Sequence, residues 1–197
     1  MNQNKAWISQ YENELGTRES VSGYGSELAN TLEVREALPY IIKHYNISSI
    51  VDMPCGDWDW MKEVELGGTE YLGLDIVPAM IQANIYRYGS ETISFKVHDA
   101  VNEVAPIADL VICRDLLFHL PETQVQAVLA NLRCSYLLTT TFPEAANVDV
   151  IADTCIRWRQ INICAEPYNL PQPIYTIQEN NSEACQNRIM GLFQLTN

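Results

Sequence analysis

From residue 49 onward, short apolar runs alternate with segments of helical periodicity, and this alternation restricts the fold more than any other feature of the chain. It is typical of a mostly parallel sheet covered by helices, because parallel strands are joined through crossovers and buried on both faces. We predict seven strands, at residues 49–53, 71–75, 93–97, 109–113, 136–142, 173–179 and 188–195. The last two have little sequence between them, which indicates a hairpin that closes the sheet.

Helical patterns fill the space around these strands. The pattern at residues 121–132 starts with Pro121, which suits a first helical turn, and carries an apolar stripe. Further helices are predicted at residues 5–15, 27–45 and 78–86, whereas the connections after the first and third strands leave room only for stunted helices. We expect one domain, with residues 1–46 as a helical cap over the active site and residues 47–197 as its core.

The charge of the chain argues against several classes of partner. Its net charge is -13, from 12 Lys and Arg against 25 Asp and Glu. Nucleic acids and anionic membranes attract clustered basic residues, which are sparse here, so we expect neither as a partner. No apolar run reaches the roughly 18 residues of a membrane span, and the first residues lack the apolar stretch of a signal peptide, so we expect a cytoplasmic protein.

Six cysteines raise the question of disulfides or metal. No pair has CxxC spacing, and several lie in or beside apolar strand-like runs. We therefore expect small buried hydrophobic side chains in a reducing compartment, and no metal site. The six are Cys55, Cys113, Cys134, Cys155, Cys164 and Cys185.

The most informative stretch for function is residues 50–60, IVDMPCGDWDW. An apolar strand ends there in an acid and breaks into a tight turn, where doubly wound folds bind their ligands. Gly56 lets a ligand approach the backbone, but the G-x-G-x-x-G that binds a dinucleotide is missing. Two acids and two tryptophans favour a cationic ligand over a pyrophosphate. The alternative is an acidic turn with core tryptophans, Trp58 and Trp60.

Acids also follow the second and third predicted strands. Asp75 comes after Gly56 at about the 20-residue spacing of a ribose-binding acid in nucleotide-binding folds. The alternative for Asp75 is a helix N-cap, since Pro78 follows closely. Asp99 is a weaker candidate for the adenine end of such a ligand, with a helix cap as its alternative.

The fourth predicted strand runs into CRDLLFHLP, residues 113–121, at the sheet edge where a ligand crevice lies. His119 titrates near neutrality and is a candidate general base for an acceptor hydroxyl. Its alternative is a histidine that caps the next helix or lines the pocket without moving protons. Arg114 and Asp115 either pair with each other, or Arg114 holds an acceptor carboxylate.

In chain order, Asp52-x-Pro54-x-Gly56, Asp75, DLVIC at 109–113 and HLP at 119–121 resemble the motif series of class I methyltransferases, which use S-adenosylmethionine (SAM). PCGDWDW, RDLLFHL and TTTF resemble a bacterial subgroup more closely, and the likeness runs from residue 22 to the end of the chain. It implies a Rossmann-like α/β fold, with a mostly parallel seven-stranded sheet, an antiparallel last strand and helices on both faces. It also implies SAM as cofactor, without metal.

The resemblance assigns roles to single residues as well. Asp52 and Gly56 would line the methionine part of SAM, and Asp75 would hold the ribose. Asp99 and Ala100 would contact adenine, while Cys113 and Arg114 would lie under the methionyl group. Asp52-x-Pro54-x-Gly56-x-Trp58 replaces the usual acid-x-Gly-x-Gly-x-Gly, and Pro54, Trp58 and Ile76 complete the predicted cofactor site.

A glycine-rich loop, SGYGS at residues 22–26, separates the first two predicted helices. Ser22 and Gly23 are candidates to close over the methionine carboxylate, and the alternative is a plain interhelical turn. We expect the acceptor to contact Tyr24, Trp60, Trp158 and Arg159. The segment that holds the last two often faces the acceptor in this superfamily.

The expected reaction is methyl transfer from SAM to an oxygen, of a hydroxyl or a carboxylate. The acceptor would be a small molecule, a saccharide or a peptide-derived natural product. Arg114, Asp115 and His119 form the expected catalytic edge. The alternatives are an N-methyltransferase, a SAM-binding regulatory or partner protein without catalysis, and an NAD(P)-dependent oxidoreductase, against which the missing G-x-G-x-x-G argues.

Overall fold

The strands assemble into one sheet in the computed structural model, which describes residues 3–14, 19–149, 158–179 and 187–195. They are β1 (Ser49–Asp52), β2 (Glu70–Asp75), β3 (Ile93–Val97), β4 (Ala108–Cys113), β5 (Cys134–Thr141), β6 (Tyr175–Gln178) and β7 (Ile189–Gln194). Their order is β3-β2-β1-β4-β5-β7-β6. Neighbours among β1 to β5 are parallel, and β7 lies antiparallel between β5 and β6. The predicted mostly parallel, seven-stranded sheet is confirmed.

Four α-helices accompany the sheet in the described residues: α1 (Gln3–Glu14), α2 (Leu32–His44), α3 (Pro78–Tyr88) and α4 (Glu122–Asn131). The predicted helix at 27–45 is divided, because a 3-10 turn precedes α2. The Thr31 hydroxyl there bonds the carbonyl oxygens of Glu27 and Leu28, which competes with a regular first turn. The connection after β1 holds only a short 3-10 turn, and residues 98–107 hold no helix, as expected.

The sheet is buried on both faces. Successive residues of its central strands point to opposite sides, and both sides are covered. Ile50 belongs to a core cluster with Leu38 of α2 and Ile81 of α3. Its neighbour Val51 belongs to a second cluster, with Val125 of α4. This double burial explains why the central strands are apolar along their whole length.

The described residues include four of the six cysteines and the four α-helices. Cys55, Cys113 and Cys134 are free and buried, and Cys164 is free and half-buried. Cys155 and Cys185 lie outside the described residues. Within the described ranges, no three or more His, Cys, Asp or Glu side chains gather as a metal site, and no helix has the length and apolar character to cross a bilayer.

The carboxyl ends of β1, β2 and β4 lie at one edge of the sheet. Asp52, the last residue of β1, is in register with Gly73 of β2 on one side and with Ile112 of β4 on the other. The turns that follow these three strands therefore lie side by side, which is where open α/β sheets bind ligands.

Candidate active site

A cleft of about 540 Å³ opens at this edge of the sheet. A narrower pocket of about 140 Å³ adjoins it. The two cavities share five lining residues: Trp7, Pro54, Asp75, Ile76 and Leu116. The site as a whole is therefore elongated and divides into two arms beside Asp75.

Most of the predicted site residues come together in this space. The cleft is lined by Ser22, Gly23, Tyr24, Pro54, Gly56, Trp60, Asp75, Ile76, Arg114, Asp115, His119 and Trp158. Asp99 and Ala100 line the narrower pocket. Four predicted residues are absent from the described lining of both cavities: Asp52, Trp58, Cys113 and Arg159.

Asp52 and Trp58 are both held in the core of the fold. Asp52 is 2% exposed and accepts a hydrogen bond from the Tyr71 hydroxyl at 2.6 Å. Burial raises the pKa of the Asp52 carboxyl to about 7, although this hydrogen bond opposes the rise. The Trp58 ring packs against Tyr71, Tyr88 and Phe95, with ring centroids 5.6, 4.9 and 5.6 Å away. Trp58 is thus the core tryptophan of the alternative interpretation.

Cys113 and Arg159 also have partners away from the cleft. Cys113 is 1% exposed, and burial raises the pKa of its thiol to about 12. The Arg159 guanidinium donates to the Leu120 carbonyl oxygen and, at 3.3 Å, to the Tyr168 hydroxyl. Arg159 therefore ties two loop segments together, and the described geometry gives it no contact with the acceptor side.

Asp57 fastens the glycine-rich loop to the turn after β1. Its carboxylate accepts hydrogen bonds from the Ser20 hydroxyl at 3.0 Å, the Val21 N–H at 2.8 Å and the Ser22 hydroxyl at 3.0 Å. The Ser22 hydroxyl in turn accepts from the Asp57 N–H at 2.9 Å. Asp59, the other acid of the turn, forms an ion pair with Lys62. Both acids are engaged with the protein, so they attract a cationic ligand more weakly than two carboxylates without partners would.

Gly56 lies where the loop meets the turn. Its φ is +57°, and a Cβ built on it would collide with the Ser22 hydroxyl oxygen. Glycine is required here on both counts, because an L side chain is strained at this φ and has no space. The carbonyl oxygen of Gly56 accepts a hydrogen bond from the Asn84 side chain of α3 at 2.8 Å.

Asp75, at the end of β2, faces both arms of the site. Its Oδ2 accepts from the Gly56 N–H at 3.2 Å, and its Oδ1 accepts from the Val77 N–H at 3.0 Å. Burial raises the pKa of this carboxyl to about 6, against the opposing effect of these backbone donors. Helix α3 has Val77 as its N-cap and no side-chain cap, so the helix-cap alternative is wrong. Each Asp75 oxygen keeps accepting capacity for a ligand hydroxyl.

Asp99 closes a turn beside the narrower pocket. Its Oδ1 accepts from the N–H groups of Val101 at 3.0 Å and Asn102 at 3.3 Å, and its Oδ2 accepts from the Asn102 side chain at 2.9 Å. No helix follows within residues 98–107, so the helix-cap alternative for Asp99 is wrong. Its carboxylate is largely occupied by its own turn.

Two arginines and two acids form a charge-balanced cluster next to the cleft. Glu179 lies 2.9 Å from Arg114 and 2.8 Å from Arg188, and Asp115 lies 3.3 Å and 2.7 Å from the same two guanidinium groups. Arg114 and Asp115 thus pair as one alternative predicted, within a larger network. Because both guanidinium charges are matched by carboxylates, Arg114 is a poor clamp for an acceptor carboxylate.

Asp115 is poorly suited to accept a proton in this setting. Burial by itself raises the pKa of its carboxyl, but Arg114 and Arg188, together with a hydrogen bond from Thr140, bring the pKa below its usual range. Gly25 of the glycine-rich loop lies so close that an added Cβ would meet Asp115 Oδ2 at 2.8 Å. Asp115 therefore has the contacts of a positioning group rather than those of a base.

His119 ends a 3-10 turn, Leu117–His119, between β4 and α4. Its ring packs edge-on against Trp7 of α1, with centroids 5.3 Å apart, and lies in the lining of the cleft. The N-cap position of α4 is occupied by Pro121, and the first N–H of the helix, that of Glu122, donates to Asp149 Oδ1 at 2.7 Å.

Several residues of the site were not predicted from the sequence. Trp7 lies in a helix with only a weak polar–apolar pattern, and nothing in the sequence marked its ring as part of a ligand cleft. Asn84 is a buried polar residue on the inward face of α3, and that inward position was the available signal. Glu179 and Arg188 are far from Arg114 along the chain and had no local signal at all.

The chain is similar to known proteins in its fold. No family model matches the sequence, and no curated protein matches it. The crystal structure of the N-methyltransferase NodS from Bradyrhizobium japonicum, in complex with S-adenosyl-L-homocysteine (SAH), is similar, with a TM-score of 0.71 and 16% identity over 98% of this chain and 100% of that chain.

Two further solved structures are similar over nearly the whole chain. Magnesium protoporphyrin IX methyltransferase (ChlM) from Synechocystis, with bound SAM, has a TM-score of 0.63 and 15% identity over 99% of this chain and 98% of that one. The 1,6-didemethyltoxoflavin-N1-methyltransferase from Burkholderia thailandensis, with its substrate and SAH, has a TM-score of 0.66 and 14% identity over 98% of this chain and 87% of that one. The chain has the Rossmann-like fold of the class I SAM-dependent methyltransferases.

Proposed function

We propose that this protein is a SAM-dependent methyltransferase that acts on a hydroxyl oxygen of a small-molecule, saccharide or peptide-derived acceptor. The observation that carries the proposal is the two-armed cleft at the carboxyl ends of β1, β2 and β4, divided beside the buried carboxyl of Asp75. The fold supports it, since similar structures were solved with SAM or SAH bound.

The residues present fit this cofactor. The Asp75 carboxylate has lone pairs left for two ribose hydroxyls, and the narrower pocket is mostly apolar, as a purine requires. Gly56 leaves the backbone open to close approach, and the loop at residues 22–26 lines the other arm, where we place the methionine part of SAM. We also propose that residues 1–46 form a cap over the site. Trp7 supports this role, because it lines both arms.

The protein itself has to align an acceptor and remove its proton. Bound SAM supplies a methyl group that is already activated by its sulfonium. A hydroxyl nucleophile loses a proton as it reacts, and the imidazole of His119 is the group of the cleft that we assign to accept it. The contact with Trp7 holds the imidazole ring in place, while Asp115, fixed between Arg114 and Arg188, orients the adjoining segment.

The lining of the cleft favours a hydroxyl over a carboxylate acceptor. Arg114 and Arg188 are matched by Glu179 and Asp115, so neither offers an uncompensated charge to an anionic substrate. Aromatic side chains make up much of the wall: Trp7, Tyr11, Tyr24, Trp60, Phe118 and Trp158. An acceptor with a flat apolar body and a neutral nucleophile suits such a wall.

An amine nitrogen is the second candidate nucleophile, because two of the similar structures are N-methyltransferases. A protonated amine also needs a base before it reacts, so the assignment of His119 is the same for both.

We also propose a cytoplasmic location. The four described cysteines are free, which is consistent with a reducing compartment.

Calorimetry with SAM, SAH and NAD on the purified chain tests the cofactor. We expect SAM and SAH to bind with Kd values of about 1–100 µM, corresponding to roughly 5–8 kcal/mol, and NAD not to compete. Folded protein that gives no heat with SAM or SAH would contradict the proposal. Binding of NAD in their place would support the oxidoreductase alternative.

Transfer of a labelled methyl group from SAM to matched phenols, amines and carboxylic acids tests the acceptor. We expect the phenols to be methylated fastest. Methylation of the carboxylic acids alone would overturn the assignment of the nucleophile. Tight SAM binding without transfer to any of the three classes would favour the non-catalytic alternative.

A further inference from the structure

Two aromatic side chains of the cleft leave much of their surface open. Tyr24 is 54% exposed and Trp158 is 43% exposed, and both line the cleft. By contrast, Trp58 and Trp60 are each 5% exposed. Aromatic rings carry a large hydrophobic surface, and such surface left open in a concave site marks a region where a ligand binds.

The position of Trp158 is fixed by the turn that carries His119. Its ring packs edge-on against Phe118, with centroids 6.1 Å apart, and against Phe142, with centroids 5.8 Å apart. Both phenylalanines are buried. The N–H of the next residue, Arg159, donates to the Phe118 carbonyl oxygen at 3.2 Å. The open part of the Trp158 ring is therefore preformed, and a ligand that binds there does not have to order it.

Phe118 also connects Trp158 with the base that we assign. The Phe118 ring lies 4.5 Å from the His119 ring and 6.1 Å from the Trp158 ring, centroid to centroid. All three side chains line the cleft. An acceptor that packs on Trp158 consequently lies near the imidazole that takes its proton.

Tyr24 extends from a loop whose backbone is held as well. Its carbonyl oxygen accepts hydrogen bonds from the Asn30 side chain at 2.9 Å and from the Glu27 N–H at 3.2 Å. The Ser26 N–H donates to the Gly23 carbonyl oxygen at 2.9 Å and closes the turn around Tyr24. The tyrosine is thus presented to the cleft from a fixed backbone.

The carboxylates beside these rings are already bonded to the protein. Asp115 accepts from the Thr140 hydroxyl at 2.9 Å and from Arg188 at 2.7 Å, and Asp57 accepts from the Ser22 hydroxyl at 3.0 Å. A sugar has a hydroxyl on nearly every ring carbon, and each hydroxyl that is buried without a partner weakens binding. An aromatic ring makes no such demand on the wall of the cleft.

We infer that Tyr24 and Trp158 bind a neutral, planar aromatic ring of the acceptor, and that they make the cleft select an aromatic hydroxyl compound over a saturated alcohol or a sugar. The inference rests on the proposed function, because it takes the cleft to hold SAM together with an acceptor hydroxyl. Offset or edge-to-face contacts between aromatic rings add to the free energy of burial. A saturated ring of the same size gains from burial alone.

Calorimetry on the full chain saturated with SAH tests this preference, because no methyl group can then be transferred. The probes are β-naphthol, decahydro-β-naphthol and methyl β-glucoside. The decahydro compound has the larger hydrophobic surface, so burial alone would favour it over β-naphthol. We expect the wild type to bind β-naphthol about 3- to 10-fold more tightly than the decahydro compound, and to bind the glucoside most weakly.

Variants at the two rings show whether they carry the preference. W158L should bind β-naphthol about 10-fold more weakly and lose most of the preference, because leucine keeps an apolar surface without a ring. W158F should retain part of the preference. Y24L should reduce it, whereas Y24F should keep it, because the contact uses the ring and not the hydroxyl.

The matched control is Y86L, at an exposed tyrosine of α3 outside the described lining of the cleft. It should keep the full preference. The SAH affinity of W158L should stay within about twofold of the wild type, because Trp158 lies on the acceptor side. Thermal unfolding of each variant shows that its fold is retained.

The outcomes separate this inference from the function beneath it. If the wild type binds SAH but binds the decahydro compound or the glucoside as tightly as β-naphthol, the aromatic acceptor is wrong and the SAM site stands. The same holds if SAH binds and none of the three probes does. A preference that survives in both W158L and Y24L would overturn the role of these two residues. A wild type that does not bind SAH would overturn the proposed function and this inference with it.

Discussion

Ser22 and Asp57 bond each other twice, since the Ser22 hydroxyl donates to Asp57 Oδ1 at 3.0 Å and accepts from the Asp57 N–H at 2.9 Å. The loop before α2 and the turn after β1 are thus joined at one point, directly above Gly56. A side chain on Gly56 would push the two apart. This junction keeps the loop at residues 22–26 against the turn after β1.

Replacement of Asp57 tests the junction. We expect D57N to weaken SAH binding by about 1–2 kcal/mol, because an amide cannot accept from Ser20, Val21 and Ser22 together. The matched control is D59N, which changes the neighbouring acid that pairs with Lys62 and lies outside the described lining of the cleft. Equal losses of affinity in both variants, measured by calorimetry, would contradict a specific role for Asp57.

The raised pKa of Asp75, about 6, predicts that SAH binding depends on pH. The ionised carboxylate is the better acceptor for ribose hydroxyls, so binding favours loss of the proton. Affinity should therefore fall as the pH drops below about 6 and stay level from pH 7 to 8. D75N should bind about 1–3 kcal/mol more weakly and lose this slope. A wild-type affinity that is constant from pH 5 to 8 would argue against the ribose role.

Asp52 should lower the stability of the protein at neutral pH. Its folded-state pKa is raised by burial from 3.8 to about 7, so its contribution is fully present below pH 3.8 and is lost as the pH rises through 7. D52N removes this loss, and its stability relative to the wild type should increase by about 2–4 kcal/mol between pH 4 and pH 8. Urea unfolding at both pH values measures the difference. A constant difference would show that Asp52 is not strained by burial.

The same variant separates the two roles considered for Asp52. The structure has this side chain bonded to Tyr71 beneath the turn, so D52N should leave SAH affinity within about 0.5 kcal/mol of the wild type. A loss of affinity as large as that of D75N would instead support contact with the methionine part of SAM.

Glu179 should be critical for the fold. It is fully buried and lies between two guanidinium groups, so E179Q leaves Arg114 and Arg188 with one carboxylate between them. We expect a loss of about 3–5 kcal/mol in the free energy of unfolding. E144Q is the control, because Glu144 makes an exposed hydrogen bond to Asn187 and should change stability by less than about 0.5 kcal/mol.

Replacement of His119 tests the assignment of the base. H119A should lower turnover by about 10²–10⁴-fold while leaving SAH affinity nearly intact. The wild-type rate should rise with pH through a single step as the imidazole loses its proton, and the variant should lose that step. An identical pH profile in both proteins would leave His119 as a pocket residue that moves no proton.

Local patterns were sufficient to predict the sheet and the edge that carries the site. Apolar runs of strand length can be recognised in the sequence, because a strand that is buried on both faces is apolar along its whole length. Parallel strands then place their carboxyl ends side by side, so the residues after β1, β2 and β4 had to meet. The position of Asp75 beside Gly56 followed from that topology together with their spacing along the chain.

The sequence could not determine which way each of these side chains points or what it bonds. Trp58 and Trp60 are two residues apart, yet one packs in the core and the other lines the cleft under the Arg114 guanidinium. Arg114 and Glu179 are 65 residues apart and meet only when β4 and the final hairpin are in one sheet. Pairing of this kind depends on contacts between distant segments. Only the tertiary structure could therefore decide that the charges beside the cleft neutralise one another rather than face a ligand.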